Sequence, residues 1–262
     1  MFDYAAPKTF QPNISKSRRG VGMHPHRGFE TVTIAFQGEV EHKDSAGNND
    51  VIGSGDVQWM TAAKGIVHEE FHSTEFSKKG GVFEMCQLWV NLPKDKKMTE
   101  ARYQPILDKD IPKAELYSVS QESGECAAVP LDEGYVRIIA GELRGTTGPA
   151  NTFTPVNLWD ISLLKKDKDY EFDIAAGHTL LVFVRRGSVE VQGEQLKLAD
   201  VAIMNGSGTV LTLKAKDDDT SVLILSGEPI DEPIAARGPF VMNTDEELSQ
   251  AWMDYKFGQN GF

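Results

Sequence analysis

The chain has 262 residues and a formal net charge of −12, which suits one large or two small domains and excludes an electrostatic grip on nucleic acid. No run approaches the ~18 consecutive apolar residues of a membrane span, and the start, MFDYAAPKTFQ, lacks the basic and apolar regions of a signal peptide. Cys86 and Cys126 have neither metal-ligand spacing nor the density of a disulfide scaffold, so a protein of the reducing cytoplasm is expected.

Twelve prolines and 24 glycines among β-branched clusters predict a β-rich fold. The basic clusters SKSRRG and KDKKM are short and read as solvated loops. From Glu30 onward alternation dominates: in ETVTIAFQGEVEH, Val32, Ile34 and Phe36 share one parity, and Gly38 marks a bend. Residues 42–50, HKDSAGNND, read as a polar hairpin loop, and GDVQWM and GIVHEEF as short strands. VFEMCQLWVNLP puts Cys86, Leu88, Val90 and Leu92 on one face and Met85 and Trp89 on the other, a strand buried on both sides. Strands continue through YVRIIAG, NLWDISLL, TLLVFVRRGSVEV, DVAIM, TVLTLKA and SVLILSG. Only the end reads as helical, about 245–256. Thr244 and Glu247 form a capping box, Leu248, Ala251, Trp252 and Tyr255 recur at helical steps, and Gly258 can stop the helix.

A faint duplication runs through the strands. TVTIAFQGEVEH resembles LLVFVRRGSVEV, with Gly38 on Gly187 and Val40 on Val189; SGDVQWM resembles LADVAIM, with Asp56 on Asp200. An all-β chain of two similar barrels or double-sheet jelly rolls is therefore expected, joined near residues 110–133.

Five of the six histidines, His24, His26, His42, His68 and His72, crowd into the first third of the chain. Alternation points His24 and His26 to one side of a strand and His68 and Glu70 to one side of another. Two facing strands would then supply a mixed imidazole and carboxylate set suited to one divalent transition metal, iron first, with Mn, Ni, Co, Cu or Zn as alternatives. The competing reading is polar strand ends whose imidazoles bond loop carbonyls. His24, His26, His68 and Glu70 are the first choice of ligands and Glu30 the reserve, as ligand or as acceptor for an imidazole N–H. His72 has the right parity but follows EEF, where the strand can already have bent, and His42 is placed as a loop or supporting residue. The duplication maps His24 and His26 onto Asp173 and Ala175, and His68 and Glu70 onto Thr212 and Lys214. Only the first barrel can hold such a site.

The stretches HPHRGFETVT, EHKDSAGN, GDVQWMTA, KGIVHEEF, QLWVNLP, KMTEARYQ and GEPIDEPIAARGPFVMNT resemble the pirin family of bicupins. The resemblance implies two cupin barrels (1–115 with the metal, 134–262 without), joined by crossing segments over 116–133. It implies a mononuclear metal on His24, His26, His68 and Glu70, and it demotes Glu30. The chain departs from the general cupin pattern, with Ala63 and His72 where a Pro and an Asn are usual. Similar proteins carry roughly thirty further residues before FDYAAPKTF, so a missing edge strand or a late start is expected. The resemblance further implies quercetin 2,3-dioxygenase activity on a flavonol and O2, with Glu70 as base and Val32, Ile34, Phe36, Trp59 and Met60 as apolar walls. The alternative is a metal- or redox-responsive regulator acting through protein partners. Neither reading expects direct nucleic-acid or membrane binding.

Overall fold

The structure is a computed structural model that describes residues 1–13, 18–120 and 125–262. Part of the basic stretch SKSRRG, residues 15–17, and residues 121–124 of the expected linker lie outside the described residues. The fold is all-β apart from short helices, as the alternation predicts.

The chain divides into two compact units, one formed by Met1–Asp108 with Ile230–Phe262 and the other by Lys109–Pro229. In the first unit β1 (Phe2–Phe10), β2 (Gly20–His26), β3 (Phe29–Gln37), β4 (Val40–Asp44), β5 (Asn49–Ile52), β6 (Val57–Thr61) and β7 (Ile66–His72) precede a short helix, α1 (Thr74–Lys79). Two more strands follow, β8 (Gly81–Asn91) and β9 (Arg102–Ile106). They form two sheets, in the orders β1-β8-β3-β6-β9 and β2-β7-β4-β5. Gly38 takes a φ of +86° between β3 and β4, a left-handed turn that glycine adopts without a Cβ clash.

Both faces of β3 are buried. Thr33 lies opposite Gln58 of β6 and Gln87 of β8, so these three share one face. Val32 and Ile34, opposite Trp59, Val57, Leu88 and Cys86, share the other, and all six are buried.

The second unit repeats this plan. Strands Asp169–Asp173, Val210–Ala215, Val189–Val191 and Glu194–Leu196 neighbour one another in the order β2-β7-β4-β5 sets in the first. Thr179–Arg186 lies between Thr220–Gly227 and Val201–Ile203 as β3 lies between β8 and β6. Gly187, at φ +71°, turns where Gly38 does. The strand pair matching β2 and β7 contributes Tyr170, Phe172, Leu211 and Leu213 to an apolar core.

The boundaries differ from those read in the sequence. Lys113–Val119 and Cys126–Val129, in the expected linker, are strands of the second unit that pair with Leu116 opposite Val129. The last 33 residues, expected to close the second barrel, belong instead to the first unit. A hairpin of Ala235–Arg237 and Phe240–Met242 bridges to Arg27, whose carbonyl accepts the Val241 N–H at 3.0 Å. Pairing between residues over 200 positions apart leaves no local pattern.

Helix α2 (Asp245–Phe257) follows, capped by Thr244 and Glu247 and closed by Gly258 in the left-handed conformation, as predicted. Thr244→Ala should cost about 1 kcal/mol, since it orphans a first-turn N–H. Chemical denaturation of the first unit measures it, and a loss below a few tenths would remove the cap from the account. Among the described residues, no helix is long and apolar enough to cross a membrane.

Candidate metal centre

β7 carries the site because it lies between two strands that bear histidine. On one side β2 places His24 directly opposite His68, with Pro25 opposite Val67 and His26 opposite Ile66. On the other, β4 places His42 opposite Glu70 and Asp44 opposite His68. Gly28, at φ +88°, turns the chain from β2 into β3; a Cβ there would lie 1.9 Å from the Val241 carbonyl oxygen. Only glycine allows the C-terminal hairpin to close on this turn.

His24, His26 and His68 converge, each offering a ligand atom within 4.8 Å of the others. Their ring centroids are 4.3 to 4.9 Å apart. The Gly22 carbonyl accepts from His24 Nδ1 at 2.8 Å, and the Pro239 carbonyl from His26 Nδ1 at 3.4 Å. A carbonyl only accepts, so both rings carry their proton on Nδ1 and leave an Nε2 lone pair. The Nε2 of His68 is buried with no hydrogen-bond partner. Burial, helped by repulsion from His24, pulls the His26 imidazolium down to about 4. Burial also holds His68 well below the ordinary histidine value, with His26, His24 and His42 adding to the effect. These two imidazoles are therefore neutral at pH 7, the form that ligates a metal. Two neutral nitrogen donors with a third beside them, one of them a buried orphan, fit a divalent transition ion.

Glu70 is placed differently from the sequence expectation. Its carboxylate clusters with His42 and His68 rather than with His24 and His26. Thr33 Oγ1 and Gln58 Nε2 donate to Oε1 at 3.1 and 3.2 Å, and Gln87 Nε2 donates to Oε2 at 2.7 Å. The two clusters share His68.

His42, read as a loop or supporting residue, sits fully buried in strand β4. The signal was present: His42 and Asp44 have one parity in EHKDSAGN, so both side chains fall on one face. Glu30 and His72 stand outside both clusters. Glu30 lies on the face of β3 opposite Thr33, accepts from Thr61 Oγ1 at 2.6 Å, and has Arg102 at 3.7 Å. Burial pushes its carboxyl above the ordinary value. His72 packs among Phe10, Phe76 and Phe83, with centroids 4.8, 5.1 and 4.4 Å away.

The expected apolar walls also need correction. Val32 and Ile34 share the parity that turns away from Thr33 and hence from Glu70, Trp59 lies opposite Val32, and Phe36 falls at a register shift between Ala35 and Gln37. Met60 keeps the parity of Gln58. The wall beside the imidazoles is aromatic instead. Phe29 and Trp89 stack at 4.2 Å and meet His26 edge-on at 5.1 and 5.3 Å. Tyr103 stacks on His42 at 4.9 Å. Alternation separates Trp89 from Leu88 correctly, yet it does not say which face of a doubly buried strand looks inward.

Two family models match the chain, Pirin over residues 1–90 and the Pirin C-terminal cupin domain over residues 158–261. A Pseudomonas aeruginosa protein named "Putative quercetin 2,3-dioxygenase" is 49% identical over 99% of this chain and 85% of its own length. A pirin-like protein of Solanum lycopersicum is 38% identical over 93% of this chain and 77% of its own. The crystal structure of quercetin 2,3-dioxygenase from Acinetobacter baumannii superposes with a TM-score of 0.88 at 47% identity, covering 98% of this chain and 84% of that one.

Proposed function

The chain belongs to the pirin family, and from that premise we propose that it is a metal-dependent dioxygenase of the quercetin 2,3-dioxygenase type. The observation that carries the reading is the convergence of His24, His26 and His68 next to Glu70. Those three imidazoles would hold one divalent transition ion, and Glu70, clustered with His42 and His68, would stand beside it as an acceptor. When bound, the metal supplies a Lewis-acid and redox centre with positions left for substrate and dioxygen. Glu70, presented by Thr33, Gln58 and Gln87, takes the proton of the flavonol 3-hydroxyl. The Phe29–Trp89 stack offers a planar apolar surface against which an aromatic substrate can lie. The half-buried state of His24, Trp89 and Glu70 leaves the approach open. The overall reaction adds one O2 to the flavonol and releases carbon monoxide and a depside, so atoms balance without a further reductant.

Support for this reading also comes from the names of the relatives. The test is oxygen uptake with bleaching of the flavonol band when protein reconstituted with iron, manganese, nickel, cobalt or copper receives quercetin under air. Glu70→Gln should lower turnover by about 100-fold or more while keeping most of the metal, as expected for a general base. No turnover with any of these ions sinks the assignment.

A further inference from the structure

His24 and His26 have backbone carbonyls to fix their protons on Nδ1, whereas His68 Nδ1 faces His42 Nδ1, at 3.5 Å. We propose that Asp44 and His42 are positioning residues that set the tautomer of His68, so that its Nε2 presents a lone pair to a metal. The inference rests on the metal-centre reading above and deepens it.

The chain of acceptors begins at Asp44. Its Oδ1 accepts the backbone N–H groups of Ala46 and Asn48 at 3.0 and 2.9 Å, and its Oδ2 accepts Asn48 Nδ2 at 2.8 Å. Every one of these partners donates, so Asp44 acts only as an acceptor. Its Oδ2 lies 3.0 Å from His42 Nε2, which must therefore carry the His42 proton. The lone pair of His42 is then on Nδ1. That assignment agrees with Gln58, whose Nε2 donates one N–H to His42 Nδ1 at 3.1 Å and the other to Glu70 Oε1 at 3.2 Å. A protonated His42 Nδ1 would oppose the Gln58 amide.

His68 Nδ1 thus faces the same single lone pair that takes the Gln58 N–H, as the longer arm of a shared contact at 3.5 Å, and is the protonated nitrogen of its ring. The opposite tautomer would set two lone pairs against each other and bury an Nε2–H without an acceptor. The orphaned Nε2 of His68 is explained by the same choice: it is the ligand atom, held beside His24 and His26. Imidazole ligands are commonly oriented by a carboxylate on their other nitrogen. Here one further imidazole stands between the carboxylate and the ligand, because β4 pairs His42 with Glu70 and Asp44 with His68. Stacking of Tyr103 at 22° to the His42 ring keeps that ring in plane for both bonds.

The test uses the whole chain with 15N-labelled histidine. Long-range 1H–15N correlations in metal-free protein should find His68 protonated on Nδ1 with an unprotonated Nε2, and His42 with the reverse. Asp44→Asn should mix the two His68 tautomers and weaken zinc binding, read by titration calorimetry, by about 10- to 100-fold. Asn48→Ala removes a different bond to the same carboxylate and should leave both the tautomer and the zinc affinity at wild-type values, a separation that loop disturbance would not produce. A wild-type His68 protonated on Nε2, or equal zinc affinity in Asp44→Asn, overturns the proposal. Neither readout needs substrate, so intact tautomers without oxygen uptake would count against the reaction and for the relay.

Discussion

Replacing Asp254 by Ala should cost about 3–5 kcal/mol of first-unit stability and lower its melting transition by roughly 10 °C. Arg27 follows directly on His26 in the chain and is 1% exposed, and its Nη1 donates to Asp254 Oδ2 at 2.7 Å. The same guanidinium donates from Nε to Lys64 O and from Nη2 to Asn260 O, and lies over the Phe262 ring at 4.6 Å. Removing the carboxylate leaves a charge in the core with only neutral acceptors, and that desolvation cost exceeds any surface ion pair. The double variant Arg27→Met with Asp254→Leu should recover part of the loss. Recovery is incomplete because the Lys64 and Asn260 carbonyls lose their donor. Burial raises the Asp254 carboxyl, but the bonds from Arg27, Gln250 and Asn260 outweigh it and hold the carboxyl below the ordinary aspartate value. The contribution is therefore complete at neutral pH and lost as pH falls through the acid range below that value. Calorimetry with limited proteolysis of the 230–262 segment measures the effect; a loss under 1 kcal/mol would mean that Arg27 is solvated by other means.

His68→Ala should weaken metal binding by at least about 100-fold, beyond the range seen when only a residue behind a ligand is lost. His68 belongs to both clusters, so its removal leaves neither with three donors. Glu30→Gln, on the opposite face of β3 and bonded to Thr61, should leave metal affinity unchanged. Metal content after dialysis against a competing chelator separates the two variants. Equal loss in both would move the ligand set to the wrong face of the sheet. His72→Gln would disturb the Phe10, Phe76 and Phe83 cluster and should appear as lost stability with metal affinity retained.

The residues whose roles were legible in sequence are those whose partners are close or whose periodicity is regular. The capping box of Thr244 and Glu247 spans three residues, and α2 stands where its spacing predicts. α1, capped by Ser73, is six residues long and too short to show a period in the sequence. His24 and His26 share a parity that any strand enforces, and they meet His68 as that parity allows. Glu70 keeps its parity too, but Gln58 and Gln87 come from other strands and decide where the carboxylate points.

By itself the sequence determined the all-β class, the repeated barrel plan with Gly38 and Gly187 at matching turns, the C-terminal helix, and the confinement of the histidine cluster to one barrel. These follow from periodicity, turn chemistry and composition, which are local. Tertiary structure alone decided three things: that residues 230–262 return to the first unit, that Phe29 and Trp89 rather than Val32 and Ile34 line the site, and that His42 stands between Asp44 and His68. Each depends on which strands become neighbours, and a doubly buried strand carries two apolar faces with nothing local to tell inside from outside.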